Sequence, residues 1–146
     1  MAEQVCEVGS LPVRECYDLL CSSKDAVLID VRCSPEWTFV GAPSLENLGK
    51  QALFAEWQQF PLTERTHDFV DRLSEALLTR RIPKSAPLLF ICRSGARSLA
   101  AARAMAAHGY SQCINVAGGF EGPRDAAGHR GTIEGWKAAG LPWKQG

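Results

Sequence analysis

What the 146-residue sequence lacks excludes several classes of function. It carries no net charge, because 16 Lys and Arg balance 16 Asp and Glu, and its pI lies near 6.8. That balance leaves no electrostatic footprint for a general nucleic-acid or acidic-membrane binder. No stretch approaches the roughly 20 consecutive apolar residues that a membrane-spanning helix needs. Met1 to Glu7 has neither the basic end nor the apolar run of a secretory signal, so a cytoplasmic location is expected, with reduced thiols. The six cysteines (Cys6, Cys16, Cys21, Cys33, Cys92 and Cys113) show no C-x2-C pair and no histidine cluster, so no metal site is expected. Only three histidines are present, His67, His108 and His129, without a triad partner at readable spacing. Repeats, low-complexity tracts and linkers are absent too, and one domain over residues 1–146 is expected.

What is present is enough apolar material for a core, 46% of residues, in a chain whose size should bury about 68–70% of its unfolded surface. Gln4–Val8 reads as a short first strand. Ser10 then caps a helix to about Ser22, with Pro12 in its first turn and Val13, Cys16, Tyr17 and Leu20 on its buried face. Ala26–Val31 is a continuous apolar run of strand length, as in a parallel sheet covered on both faces. Ser34 caps a short helix with Pro35 at its first position, residues 41–50 read as loop with an edge strand near Leu45, and Gln51–Gln59 reads as helix. Thr66–Arg80 is a stronger helix with Phe69, Val70, Leu73, Ala76 and Leu77 on one face. Pro87–Ile91 is a second buried strand, Ser98–His108 a helix ended by Gly109, and Cys113–Val116 a third buried strand. A last short helix is expected over Ile133–Ala139. This alternation argues an α/β fold with a mainly parallel sheet.

In open parallel sheets, ligands sit at the carboxyl ends of strands. Phe90-Ile91-Cys92-Arg93-Ser94-Gly95-Ala96-Arg97-Ser98 occupies that position, a buried strand running through a short loop into a helix. Gly95 permits a positive-φ turn that points successive N–H groups inward as an anion nest. The following helix, beginning near Arg97, adds four unpaired N–H groups and its positive dipole end. Arg93 and Arg97 reinforce that field. A cysteine at the mouth of this cradle is expected to ionise readily and act as a nucleophile, rather than serve as a small buried hydrophobe.

The sequence resembles the rhodanese-like sulfurtransferase family in its single-domain form. The resemblance is carried by Leu28-Ile29-Asp30-Val31-Arg32 with Pro35-Glu36-Trp37, by Cys92 to Ser98, by Val116-Ala117-Gly118-Gly119-Phe120, and by Gly135-Trp136-Lys137-Ala138-Ala139-Gly140-Leu141-Pro142. It implies a five-stranded, mostly parallel sheet with helices on both faces and a catalytic cysteine at Cys92. The implied reaction moves a sulfane sulfur from an anionic donor such as thiosulfate to cyanide or a thiol through a Cys92 persulfide, with no cofactor. Residues 93–97 (Arg93, Ser94, Gly95, Ala96 and Arg97) would stabilise the anions, Arg93 and Arg97 holding the donor. The alternative is a relay or regulatory module that passes sulfur to a protein thiol, with incidental thiosulfate turnover. Phosphatases of the same fold have a C-x5-R loop, whereas Arg97 closes C-x4-R here, so phosphoryl transfer is not expected.

Two departures stand out. Val40-Gly41-Ala42-Pro43-Ser44 replaces a Gly-His-Ile-Pro-Gly-Ala-like stretch, leaving an extended segment to Gln59, and Glu121–Glu134 looks like an insertion. Both are expected to border the site's mouth without touching the cysteine loop. Asp30, Arg32 and Ser98 are expected to support the loop, the first two as an ion pair. Cys33, which ends its strand as Cys92 ends another, is a candidate partner of Cys92 only if their Cα atoms lie within ~7 Å.

Overall fold

The computed structural model describes residues 8–59, 64–65 and 68–145, with the backbone alone described at 58–59 and 64–65. In chain order its elements are β1 (Gly9–Pro12), α1 (Val13–Ser22), β2 (Val27–Asp30), α2 (Ser34–Phe39), β3 (Ala42–Pro43), a 3-10 turn (Glu46–Leu48), β4 (Leu53–Phe54), β5 (Gln58–Gln59), β6 (Glu64–Arg65), α3 (Phe69–Thr79), β7 (Pro87–Ile91), α4 (Ala96–Ala107), β8 (Gln112–Ala117) and β9 (Trp143–Lys144).

Five strands form one sheet in the order β1-β8-β7-β2-β4, and every pairing in it is parallel. The strands that read as continuous apolar runs lie in its middle, because both of their faces are covered. Leu88, Phe90 and Cys92 point with Ile29 and Val31 toward α3 and α4, into a core with Leu73, Leu77, Ala101 and Met105. Leu28, Leu89, Ile91 and Val116 point the other way, against Val13, Cys16 and Leu20 of α1 and against Phe120 and Trp136. This is the expected five-stranded sheet with helices on both faces, a rhodanese-like α/β fold. Among the described residues, no helix is long and apolar enough to cross a membrane.

Several local expectations are corrected. The first strand is Gly9–Pro12, not Gln4–Val8, of which residues 4–7 lie outside the described residues. Ser10 therefore caps nothing: it pairs in register with Asn115, whose Nδ2 donates to Ser10 Oγ at 3.2 Å. Helix α1 starts at Val13 after Pro12, which ends an edge strand where its missing N–H is tolerated. Helix α2 is capped by Cys33, one residue before Ser34. Near Leu45 the expected edge strand is instead the two-residue β3, paired antiparallel with β9.

Gln51–Gln59 is not a helix. Leu53 and Phe54 extend the sheet beside Ile29 and Asp30, and the Ala55 and Trp57 amides donate to Asp30 O and Val31 O. Those amides are spent between segments, so no helical ladder can use them. Ile133–Ala139 is a run of turns, since Gly131 and Gly135 sit at φ +88° and +107° and break the helical path before it starts. The Thr66–Arg80 helix is observed from Phe69, with residues 66–67 outside the described set.

Candidate active site

The chain runs from β2 outward to β4, then returns across β2 to β7 and continues to β8 on the other side. The strand order thus reverses between β2 and β7, and the crevice beyond their carboxyl ends is the place where such sheets bind ligands. Cys92 stands at the end of β7, and Asp30, Arg32 and Cys33 at the end of β2.

Gly95, at φ +125°, turns the loop into the 12-residue α4 and is its N-cap. Its N–H donates to Cys92 Sγ at 3.1 Å. Among the loop amides expected to serve the anion, this is the one that reaches the sulfur. Ser98 Oγ lies 3.2 Å from the same sulfur, 2.6 Å from Asn115 Oδ1 and 3.1 Å from Gly95 O. A hydroxyl has one proton and two lone pairs, so Ser98 can accept from a Cys92 thiol while donating to Asn115, or turn and donate to a thiolate. Ser98 is fully buried and Asn115 nearly so, and the line Cys92–Ser98–Asn115–Ser10 crosses from β7 to the sheet edge. Asn115 was not legible in the sequence, where it reads as one more residue of a buried strand.

Arg97 is committed elsewhere. Its Nη1 and Nη2 donate to Glu36 Oε1 and Oε2 at 2.7 and 2.9 Å, a two-pronged ion pair between α4 and α2. The same Glu36 accepts the Cys33 amide and thiol, each at 3.2 Å. Burial acts to raise the Glu36 carboxyl, but the hydrogen bonds and charge of Arg97, helped by Cys33, outweigh it and hold the group at about 2. Burial and the adjoining Glu36 carboxylate push the Cys33 thiol up, keeping it a neutral donor. Its sulfur serves this cap, and Cys16, Cys21, Cys33 and Cys92 are free.

The Arg97 and Glu36 side chains are only 13% and 16% exposed, so their pairing makes stability depend on pH. Because the folded carboxyl titrates below its ordinary 4.5, its contribution is complete above that value and is lost as pH falls toward 2. The contribution is on the order of 3 kcal/mol. Urea midpoints should drop between neutral pH and pH 3, and Glu36→Gln should lower the neutral midpoint while flattening that drop. An unchanged pH profile in the variant would contradict the assignment.

Asp30 and Arg32 are both fully buried. Arg32 Nε and Nη2 donate to the Asp30 carboxylate at 2.9 and 2.7 Å, and Arg32 N donates to Oδ1 at 3.1 Å. Nη2 also donates to Gly41 O at 2.8 Å, and the guanidinium stacks 4.3 Å from the Phe120 ring centroid. The pair thus ties β2 to the 41–44 loop and to Phe120, whose amide donates to Cys92 O at 2.8 Å. It is a framework for the loop.

The Glu121–Glu134 segment does touch the cysteine loop, contrary to expectation. Glu121 and Gly122 amides donate to Arg93 O at 3.0 and 3.1 Å. Gly119, at φ +63°, packs so closely that a Cβ there would lie 2.6 Å from both Cys92 O and Arg93 O. Arg93 and Ser94 are exposed, and Ala96 opens α4. Beside them is a cleft of about 340 Å³, bounded by Cys33, Glu36 and Val40 from the segment after β2 and by Arg93, Glu121 and Arg130 from the loops after β7 and β8. An apolar recess of similar size, about 330 Å³, lies elsewhere, between β4 and α3 around Leu53, Phe54, Phe69 and Leu73.

The parallel α/β sheet thus places the cysteine loop at its switch point, leading into a helix N-terminus, a position that suits anions. The chain belongs to the rhodanese-like family: the rhodanese-like domain matches residues 13–126. An uncharacterized protein of Rickettsia rickettsii is 38% identical over 128 residues, covering 88% of this chain and 90% of that protein. Rv0390 from M. tuberculosis superposes with a TM-score of 0.79 at 41% identity, over 95% of this chain and 98% of its own. The polysulfide-sulfur transferase of Wolinella succinogenes shares the fold, with a TM-score of 0.58 at 19% identity over 95% of this chain and 80% of its own. Membership in this family supports sulfur transfer as the general chemistry.

Proposed function

We propose that the protein is a sulfurtransferase that carries sulfur on Cys92 as a persulfide, loaded by an anionic sulfane donor such as thiosulfate and discharged to a thiol or to cyanide. The observation that supports this reading best is the Cys92 sulfur itself, receiving the Gly95 N–H in a loop that opens a 12-residue helix. In the first step the Cys92 thiolate attacks the outer sulfur of thiosulfate. A new S–S bond forms, the old one breaks, and sulfite leaves with its electron pair. In the second step an acceptor thiolate or cyanide attacks the terminal persulfide sulfur and releases the Cys92 thiolate. Neither step changes the total electron count, so no redox cofactor is required.

The residues divide this work. Gly95 N–H and the α4 dipole stabilise negative charge on the sulfur in both steps. Arg93, exposed beside the cysteine, meets the donor's oxyanion end. Arg97, held by Glu36, fixes the start of α4 against α2 and acts as a positioning residue. Asp30 and Arg32 brace the loop from beneath, and Ser98 holds the sulfur from the side. Thiosulfate-to-cyanide turnover tests the reading: Cys92→Ser should reduce it to the uncatalysed background, while Cys21→Ser, an exposed cysteine on α1, should leave it unchanged. Turnover surviving in Cys92→Ser would assign the chemistry to another thiol.

A further inference from the structure

Arg93 and Arg130 bound the same cleft beside Cys92, and among the described residues neither forms an ion pair. That is unusual for two guanidinia sharing one concave site, since like charges repel unless an anion is held between them. The cleft's two carboxylates do not supply it. Glu36 is engaged on both oxygens by Arg97, and Glu121 forms no ion pair with either arginine. Counted together, Arg93, Arg97 and Arg130 against Glu36 and Glu121 leave one positive charge in excess.

Arg130 is also placed, rather than merely nearby. Its Nη1 donates to Gly122 O at 2.7 Å, and the Gly122 amide donates to Arg93 O at 3.1 Å. One residue therefore links the backbone beneath Arg93 to the side chain of Arg130. Gly122 sits at φ +75° with Glu134 O only 2.1 Å from where a Cβ would be, so its position is closely confined. The turn that carries Arg130 is tied internally. Asp125 accepts the Ala127 and His129 amides, each at 2.9 Å, and the Thr132 hydroxyl at 2.7 Å, and Gly131 N donates to Glu121 O. Among the described residues, the other guanidinium nitrogens of Arg130 make no hydrogen bond or ion pair.

Resting on the sulfur-transfer reading above, we infer that Arg130 is a substrate-binding residue, forming with Arg93 a two-guanidinium clamp for the oxyanion end of a small sulfur compound. An anionic sulfane donor and a carboxylate-bearing thiol acceptor share that chemistry, and Arg93 directly follows Cys92 in the chain. Fork-shaped guanidinium donors suit planar carboxylate and sulfonate-like oxygens, and loss of one such charge-assisted contact weakens binding by about 10- to 100-fold.

The test measures binding of thiosulfate and of 3-mercaptopropionate to Cys92→Ser protein, by titration, with and without Arg130→Met. Arg124→Met serves as control, because Arg124 is exposed in the same segment but outside the cleft lining. Arg130→Met should weaken at least one of the two probes tenfold or more, and Arg124→Met should change neither by more than about twofold, as expected for diffuse charge alone. Which probe responds assigns the clamp to the donor, the acceptor or both. Equal weakening by the two substitutions, no weakening by either, or no binding of either probe overturns the clamp. Arg130-dependent binding without persulfide in the wild type would instead retain the clamp and overturn the sulfur-transfer reading.

Discussion

Asp30→Ala should destabilise the fold by about 3–5 kcal/mol, a large share of the roughly 5–15 kcal/mol that holds a domain together. The substitution strands the Arg32 guanidinium, fully buried, with only Gly41 O and the Phe120 ring as company. Most of that loss is the charge left unpaired, not the worth of the pair. The double variant Asp30→Ala with Arg32→Met should therefore recover a substantial part of it, giving a coupling energy well above that of an exposed pair. Denaturant midpoints of the four proteins measure this. Additive losses would show that the two side chains do not depend on each other. The effect should extend to Cys92, because Phe120 both stacks on Arg32 and holds Cys92 O.

Gly119→Ala should slow persulfide formation by on the order of 10²-fold in protein that remains folded, as expected when a reacting group is misplaced by about 1 Å. Two effects combine there. An alanine at φ +63° carries a strain of about 1–2 kcal/mol. Its Cβ would also stand 2.6 Å from the carbonyl oxygens of Cys92 and Arg93, and backbone atoms cannot step aside as a flexible side chain can. Gly128→Ala separates the two, since Gly128 sits at φ +81° with nothing within 4 Å of where a Cβ would stand. It should show the strain in its stability and leave the loading rate unchanged. Equal loading rates in both variants would mean that Gly119 does not position the loop.

The sheet's middle and the place of Cys92 at its carboxyl edge were legible because their signals are local. Pro87–Ile91 is an uninterrupted apolar strand, and Gly95 marks the turn into an alanine-rich helix within a few residues. What escaped depends on partners distant in sequence. Arg97 reads as a free cation beside a nucleophile, yet it is neutralised by Glu36, 61 residues away. Nothing in the spacing of either residue announces that pair.

The Gln51–Gln59 segment has helix-compatible composition, but its amides satisfy the open edge of β2 and local propensity yields to that demand. Ile133–Ala139 reads as a short helix, while Gly135 sits at φ +107°, where a Cβ would lie 3.1 Å from Gly118 O and 3.0 Å from Gly122 N. The 121–134 insertion is the clearest case. Its Gly-rich sequence reads as a surface loop, whereas the fold uses it to fasten the cysteine loop and to bring Arg130 to the cleft.

The central claim, sulfur carried on Cys92, is tested most directly by intact mass spectrometry of the reduced protein after incubation with thiosulfate, beside Cys92→Ser. The account predicts a gain of one sulfur atom in the wild type, removed by cyanide and absent from the variant. The same gain in Cys92→Ser, or none in folded wild-type protein with thiosulfate or a polysulfide donor, would contradict it.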